Sequence, residues 1–174
     1  MLISIIVLVI SLAALGSAVY LVYLFLNKQN DALLKSAQLE LKKQRQEYFL
    51  PSRLEAYQRS ILLMERLHPN SLVMRLHNPG LPARALQADI LKNIREEFDH
   101  NVVQQMFISK KAWKMMVNSK EDLVKLINTA GNLMGPTSTG MELSAKILEM
   151  VSQIEVLPSE VTVDYLKDEF QQMM

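Results

Sequence analysis

The chain has 174 residues, with 19 basic and 18 acidic side chains, a formal net charge of +1 and no cysteine. A balance this close to neutral lacks the broad basic footprint of a nucleic-acid binder, and without cysteine there is no disulfide framework, thiolate nucleophile or Cys-ligated metal.

Residues 1–26 carry no charged side chain and are dominated by Ile, Leu and Val. A helix needs about 20 apolar residues to cross a hydrocarbon core of about 30 Å, so this run predicts a transmembrane anchor with some length to spare. Tyr20 and Tyr23 stand near its end, where amphipathic rings prefer the interface. Gly16, Ser17 and Ala18 look like the small residues of a signal-peptide cleavage site. The segment before them has no Lys or Arg, however, and the apolar run continues past them to Leu26, which favours an uncleaved anchor. No basic residue precedes the run, whereas Lys28, Lys35, Lys42, Lys43 and Arg45 follow it. The positive-inside rule then puts the N-terminus outside and the rest of the chain in the cytoplasm. Ala14 and Ala18 have the small-xxx-small spacing that lets membrane helices approach closely.

Residues 27–50 predict a helical stalk, free of Gly and Pro and rich in Leu, Lys, Gln and Glu. Leu34, Leu41 and Tyr48 recur every seven residues, too few for a coiled-coil assignment. Pro51 is expected to break the helix, with Ser52 and Glu55 forming a capping box for the next one. That helix has Leu54, Tyr57, Ile61 and Met64 on one face and ends at His68-Pro69-Asn70. A short helix through Leu72, Val73, Met74 and Leu76 precedes the turn Asn78-Pro79-Gly80.

After Pro82 the residues Leu86, Ile90, Leu91, Ile94, Phe98 and Val102 form the clearest amphipathic stripe in the chain. Met106, Phe107 and Ile108 fit either a helix end or a short extended piece. Ser109 caps a helix with Ala112, Trp113, Met116 and Val117 inward, and Ser119 with Asp122 marks a possible restart leading to Leu123, Leu126, Ile127 and Ala130. Residues 131–140, with three glycines and Pro136, predict a loop. Two helices close the chain, residues 141–154 with Met141, Ala145, Leu148 and Val151 inward, and residues 159–172 with Val163, Leu166 and Phe170 inward. No stretch sustains the period-two pattern of a strand. The expected fold is all-α: a transmembrane helix (1–26) continuing into a stalk (27–50), then a small cytoplasmic helical bundle (51–174).

Charge is unevenly distributed. Residues 27–135 hold 17 basic and 11 acidic side chains, and residues 140–174 hold 2 and 7. The basic stalk permits attraction to anionic lipid, about 1 kcal/mol for each nearby cation, although an ordinary solvated positive-inside flank accounts for it as well.

Candidate chemistry is sparse. Glu65/His68 and Glu97/His100 form two Glu-x-x-His pairs of the kind that di-iron helical bundles use, with a further Glu from each of two other helices. The stripe after Pro82 centres near Ile94, which turns His100 about 120° from the core at roughly 100° per residue, and His68 adjoins a helix-ending proline. Gly135-Pro-Thr-Ser-Thr-Gly140 has the glycine spacing of a phosphate-binding loop, but Met141 and Glu142 stand where Lys and Ser/Thr are required. Lys110, Lys111, Trp113 and Lys114 suggest at most a weak nucleic-acid contact, with Trp113 expected to pack inward. The 11 methionines fill core gaps or mark an adaptable surface, Met115, Met116, Met173 and Met174 being the places to look. No catalytic, cofactor-binding or metal-ligating residue is assigned.

The segments RLEAYQR (53–59), LVMR (72–75), REEFDHN (95–101) and KLIN (125–128) resemble a family of short single-pass membrane proteins from Bacteroidetes with no known activity. The resemblance spans nearly the whole chain and implies a bacterial inner-membrane location. In that family the position of His68 is not ordinarily His. The polar residues Arg53, Glu55, Arg59, Arg75, Arg95, Glu96 and Asn101 fall in these segments, as inter-helix ion pairs or as a recognition surface. The expected role is a membrane-tethered interaction or scaffold protein that contacts the bilayer through residues 1–26 and engages a protein partner or itself, with no nucleic acid, cofactor or small-molecule substrate. The alternatives are a metal-binding bundle on the Glu-x-x-His pairs and an anionic-lipid sensor acting through the stalk.

Overall fold

The computed structural model describes residues 2–173, leaving aside the side chains at positions 4, 7–9, 11, 13 and 14. Among the described residues there are six α-helices and no β-strand: α1 (Leu2–Arg66), α2 (Pro69–Leu76), α3 (Ala83–His100), α4 (Lys110–Asn132), α5 (Gly140–Ser152) and α6 (Pro158–Gln171), with a 3₁₀ turn at Val102–Met106 between α3 and α4. The chain divides into two compact units, Met1–Leu50 and Pro51–Met174.

The first unit is helical throughout residues 2–50, and every described side chain in it is exposed. Among the described residues no helix is long and apolar enough to cross a membrane. The anchor expected over residues 1–26 falls partly outside that description: Met1 lies outside it, as do the side chains of Ser4, Val7, Leu8, Val9, Ser11, Ala13 and Ala14. The side chain of Ala14, of the Ala14/Ala18 pair, is therefore outside it, and so is Met174.

The expected break at Pro51 does not occur. Pro51 lies inside α1, where it and Glu47, whose carbonyl it leaves without a helical N–H, are both exposed to water. The capping box is absent with it: Glu55 instead accepts from Arg59 one turn on, at 3.0 Å. In the second unit α1 presents Ala56, Tyr57, Ser60, Leu63 and Met64 to the core, and Leu67 just past its end is buried with them. The helix ends at Arg66, and two residues on the His68 ring Nδ1 accepts the N–H of Asn70 at 3.3 Å and so caps α2.

The core of the second unit is closed by Leu72 and Val73 of α2, Leu86, Ile90 and Ile94 of α3, Met116 and Ile127 of α4, Leu143 and Ile147 of α5, and Leu166 of α6. Helix α4 packs on α3, α5 and α6 and is the central member. It runs without interruption through Ser119 and Asp122, correcting the expected restart. Ser119 points inward, and its hydroxyl lies 2.9 Å from the Pro158 carbonyl and 2.7 Å from the Thr162 hydroxyl, tying α4 to α6. The helix also absorbs Gly131, placed in a loop by the sequence pattern. The Gly131 backbone lies flush against the side chain of Gln87, which in turn donates to Asn128 at 3.1 Å.

The inward face of α5 differs from the expected one. Leu143, Ser144, Ile147 and Val151 are buried, whereas Met141 is exposed, and of the buried four only Val151 belongs to the expected set. The helix carries apolar residues on two faces, and turning Leu143 and Ile147 inward buries the larger aliphatic pair. At the C-terminal end of the unit, Phe170 packs on Tyr57 with ring centroids 5.4 Å apart, and Arg53 donates to the Met173 thioether. Burial, followed by the Glu169 carboxylate, pushes the Tyr57 hydroxyl up to about 12.

Candidate binding site

The second unit contains an apolar cavity of about 200 Å³ where α1, α4, α5 and α6 meet. The sequence makes it locally. Helix α1 stops at Arg66 and the chain turns at Pro69, α5 stops at Ser152, and Pro158 starts α6, so three helix ends surround the middle of α4 without filling the space between them. The walls are Met64, Leu67, Leu123, Leu126, Met150 and Leu157, and Ile154 closes one side. The polar groups at the edge are already engaged. Ser119 holds the Pro158 carbonyl. Lys120 is 2.7 Å from Glu121 and sits over the Phe98 ring at 4.9 Å, and it holds the Glu121 carboxyl below the usual carboxylate range. Asp122 accepts from Lys125 at 2.9 Å.

A second depression adjoins the first and shares Met64 and Ser159 with it. It is polar and mainly acidic, with Glu65, Glu160 and Asp164 facing His68 and Lys167. Asp164 is 3.7 Å from Lys167 and Glu160 is 3.6 Å from the His68 ring. Two exposed apolar side chains in the turn before α6 line the area, Ile154 at the cavity and Val156 at the groove. The arrangement is an apolar hole beside an acidic groove, a shape that accepts an apolar group and favours a neighbouring positive charge. It holds no nucleophile–base pair.

The residues singled out by sequence are placed elsewhere, and they are dispersed. Glu97 receives both Arg66 and Arg75, the first through two guanidinium nitrogens and the second at 3.7 Å, and Arg75 also donates to Asn93 at 2.7 Å. The Arg66 hydrogen bonds hold the Glu97 carboxyl below its ordinary range. A carboxylate committed to two arginines is not a free metal ligand, His100 is exposed, and His68 is spent as a helix cap. Among the described residues no group of three or more His, Cys, Asp and Glu is placed to hold a metal ion. The Glu65/His68 and Glu97/His100 pairs thus serve as groove wall, helix cap and inter-helix ion pair.

The cluster suggested by Arg53, Glu55, Arg59, Arg75, Arg95, Glu96 and Asn101 does not form one surface. Glu55 pairs with Arg59, Arg53 contacts Met173, Arg75 joins Glu97, Glu96 pairs with Lys92, and Asn101 donates to the Glu97 carbonyl. Arg95 is exposed. Gly140 gives its N–H to the Leu81 carbonyl at 2.7 Å, and Thr139 caps α5 through Glu142, so this loop offers no free amide cradle to a phosphate. Trp113 is half-buried against Phe98 at 5.1 Å, and Lys111 lies over the Tyr165 ring. Met116 is fully buried, while Met115 lines a shallow depression with Val156 and Val161. Sequence reasoning missed the cavity because its walls come from four helices. The available signal was the proline pair Pro69 and Pro158, each starting a helix beside it.

A family described only as of unknown function, DUF7935, matches residues 1–173. No curated protein and no solved structure matches.

Proposed function

The chain belongs to the family of unknown function DUF7935, and from that premise we propose that it is a membrane-tethered helical interaction module. The observation that carries this reading is the run of side chains at residues 15–26, all exposed on one continuous helix and none of them charged. Twelve consecutive positions cover the full circumference of a helix, and a helix apolar all round is stable only when buried in protein or in lipid. Burying each Leu, Ile, Val or Phe gains about 1.5–3 kcal/mol, and the uncharged sequence upstream to Met1 supplies enough length for a bilayer.

Orientation rests on Lys28, Lys35, Lys42, Lys43 and Arg45, which put residues 51–174 in the cytoplasm. The inner membrane of a Bacteroidetes-like bacterium is the location that the resemblance of residues 53–59, 72–75, 95–101 and 125–128 favours. The module's role is to present its helical surface to a protein partner, with the cavity at α4 as the place of contact. The same five cations add attraction to anionic headgroups.

The test uses the full chain with a C-terminal tag, expressed in a bacterium. Alkaline carbonate leaves it in the membrane pellet, and the double substitution Val19→Lys/Val22→Lys releases it. Protease added to spheroplasts spares the tag until the membrane is permeabilised. Release of the unaltered chain by carbonate would refute the tether, and loss of the tag from intact spheroplasts would refute the orientation.

A further inference from the structure

We infer that the cavity and the acidic groove beside it receive a basic amphipathic helix of a protein partner, with one apolar side chain in the cavity and a lysine or arginine about one turn away over Glu65, Glu160 and Asp164. This deepens the reading of residues 51–174 as an interaction module and rests on it, although it does not depend on the membrane anchor.

Size and lining argue for a single anchor residue. A cavity of about 200 Å³ bounded by Met64, Leu67, Leu123, Leu126, Met150 and Leu157 matches one large aliphatic or aromatic side chain. Two of those walls are methionines, whose unbranched thioethers adapt to the shape of an incoming group. Ile154 at the cavity and Val156 at the groove are both exposed and apolar, which extends the contact beyond the hole.

Charge then selects the partner. Lys120, the cation at the cavity edge, is neutralised by Glu121 and its head lies over Phe98. Asp122 at the same edge is likewise paired, with Lys125, so the cavity edge is close to neutral and the charge resides in the groove. The adjoining groove has three carboxylates against Lys167, and Glu65 has no basic partner among the described residues. An anionic amphiphile would meet repulsion there. A cation spaced three or four residues from an apolar anchor on a helix lies about 5–6 Å from it, which suits two depressions that share Met64 and Ser159.

The experiment titrates the full chain, in zwitterionic nanodiscs, with a labelled Leu/Lys amphipathic helix of about 18 residues and with its Leu/Glu twin, using empty discs as reference. The Leu/Lys helix is expected to bind saturably and the Leu/Glu twin about tenfold more weakly or worse. Leu126→Trp, which fills the cavity, and Glu65→Lys/Asp164→Lys, at two exposed positions, each weaken the Leu/Lys helix by about tenfold. Circular dichroism checks that the variants fold, and Ile154→Trp at the exposed rim replaces Leu126→Trp if that one does not.

Equal binding of the two helices, or binding indifferent to both substitutions, overturns the inference while leaving the module reading intact. Failure of the Leu/Lys helix to bind beyond empty discs overturns the inference too. If dodecyltrimethylammonium nevertheless protects the cavity from thermal unfolding, the site takes small cationic amphiphiles instead. Crosslinking in cells tests the module reading separately. A partner caught without a basic helix sinks the inference alone, and the absence of any partner sinks both.

Discussion

Gly140 donates its backbone N–H to the carbonyl of Leu81 at 2.7 Å, and two residues away Ala83 donates to the carbonyl of Ser138 at 2.9 Å. The loop before α3 is thereby stitched to the loop before α5 through an isolated bridge between Pro82 and Thr139. The approach leaves no room for a side chain: a Cβ on Gly140 would stand 2.9 Å from the Asn78 carbonyl oxygen and 3.0 Å from that of Leu81, both backbone atoms.

Gly140→Ala is therefore expected to destabilise the fold by about 2 kcal/mol, since backbone cannot step aside as a side-chain tip can. Gly135→Ala, five residues earlier, would meet only the Ser138 hydroxyl at 3.8 Å and should stay within about 0.5 kcal/mol. Urea unfolding of the two variants compares them directly, and equal midpoints would contradict the stitched-loop account.

Gln87 and Gly131 should behave as a coupled pair. A methyl at position 131 overlaps the Gln87 side chain and displaces it from Asn128, so Gly131→Ala loses about 1 kcal/mol despite the better helix propensity of Ala. In Gln87→Ala that methyl occupies vacated space. The double variant is then less destabilised than the sum of the singles, by about 1 kcal/mol. Strict additivity would show that the two positions do not touch.

Ser119 and Thr162 share the Pro158 carbonyl between α4 and α6. Ser119→Ala leaves Thr162 bonded to that carbonyl at 2.7 Å and should lose about 1 kcal/mol. Thr162→Val, buried at 1 % exposure, deprives Ser119 of its neighbour and puts a methyl against the carbonyl, losing about 1–2 kcal/mol. Identical stabilities of all three proteins would disprove the bridge.

Glu97 gives the fold a defined acid sensitivity. Its carboxyl lies below the ordinary value of 4.5 in the folded state, chiefly through hydrogen bonds from Arg66. The unfolded chain therefore takes up the proton first as pH falls. The stabilisation is complete above about pH 5 and is lost as pH falls through 4.5 towards the lower folded value. Because Arg66 is 45 % exposed, solvent screens the pair, and Glu97→Gln should lose about 1 kcal/mol at pH 7. The gap between the two proteins should narrow as pH falls below 4.5. A gap independent of pH would mean that packing, and not charge, is what the substitution removes.

Much of the helical order was legible in the sequence because the strongest stripes coincide with the elements that bury most. Leu86, Ile90, Ile94 and Phe98 are inward on α3 as their spacing requires, and Ser109 caps α4 as its position predicts. The misreadings share a cause. Pro51, Ser119 and Gly131 each look like a helix stop in isolation and sit inside helices, Ser119 and Gly131 because α6 and Gln87 use them. On α5 two faces competed, and packing against α3 and α4 chose Leu143 and Ile147. The cavity stayed invisible because a void is a property of where helices end relative to each other. The Arg66–Glu97 pair spans 31 positions of sequence, beyond the reach of any local pattern.

The contact of Tyr57 with Phe170, and of Arg53 with Met173, joins the first helical turns of the second unit to its last. The two ends of a folded unit usually open independently, each exchanging its amide protons on its own schedule. Here the two ends hold each other, so loosening either strips the other of its cover. Amides around Tyr57 and around Leu166 should therefore exchange together, as one opening event.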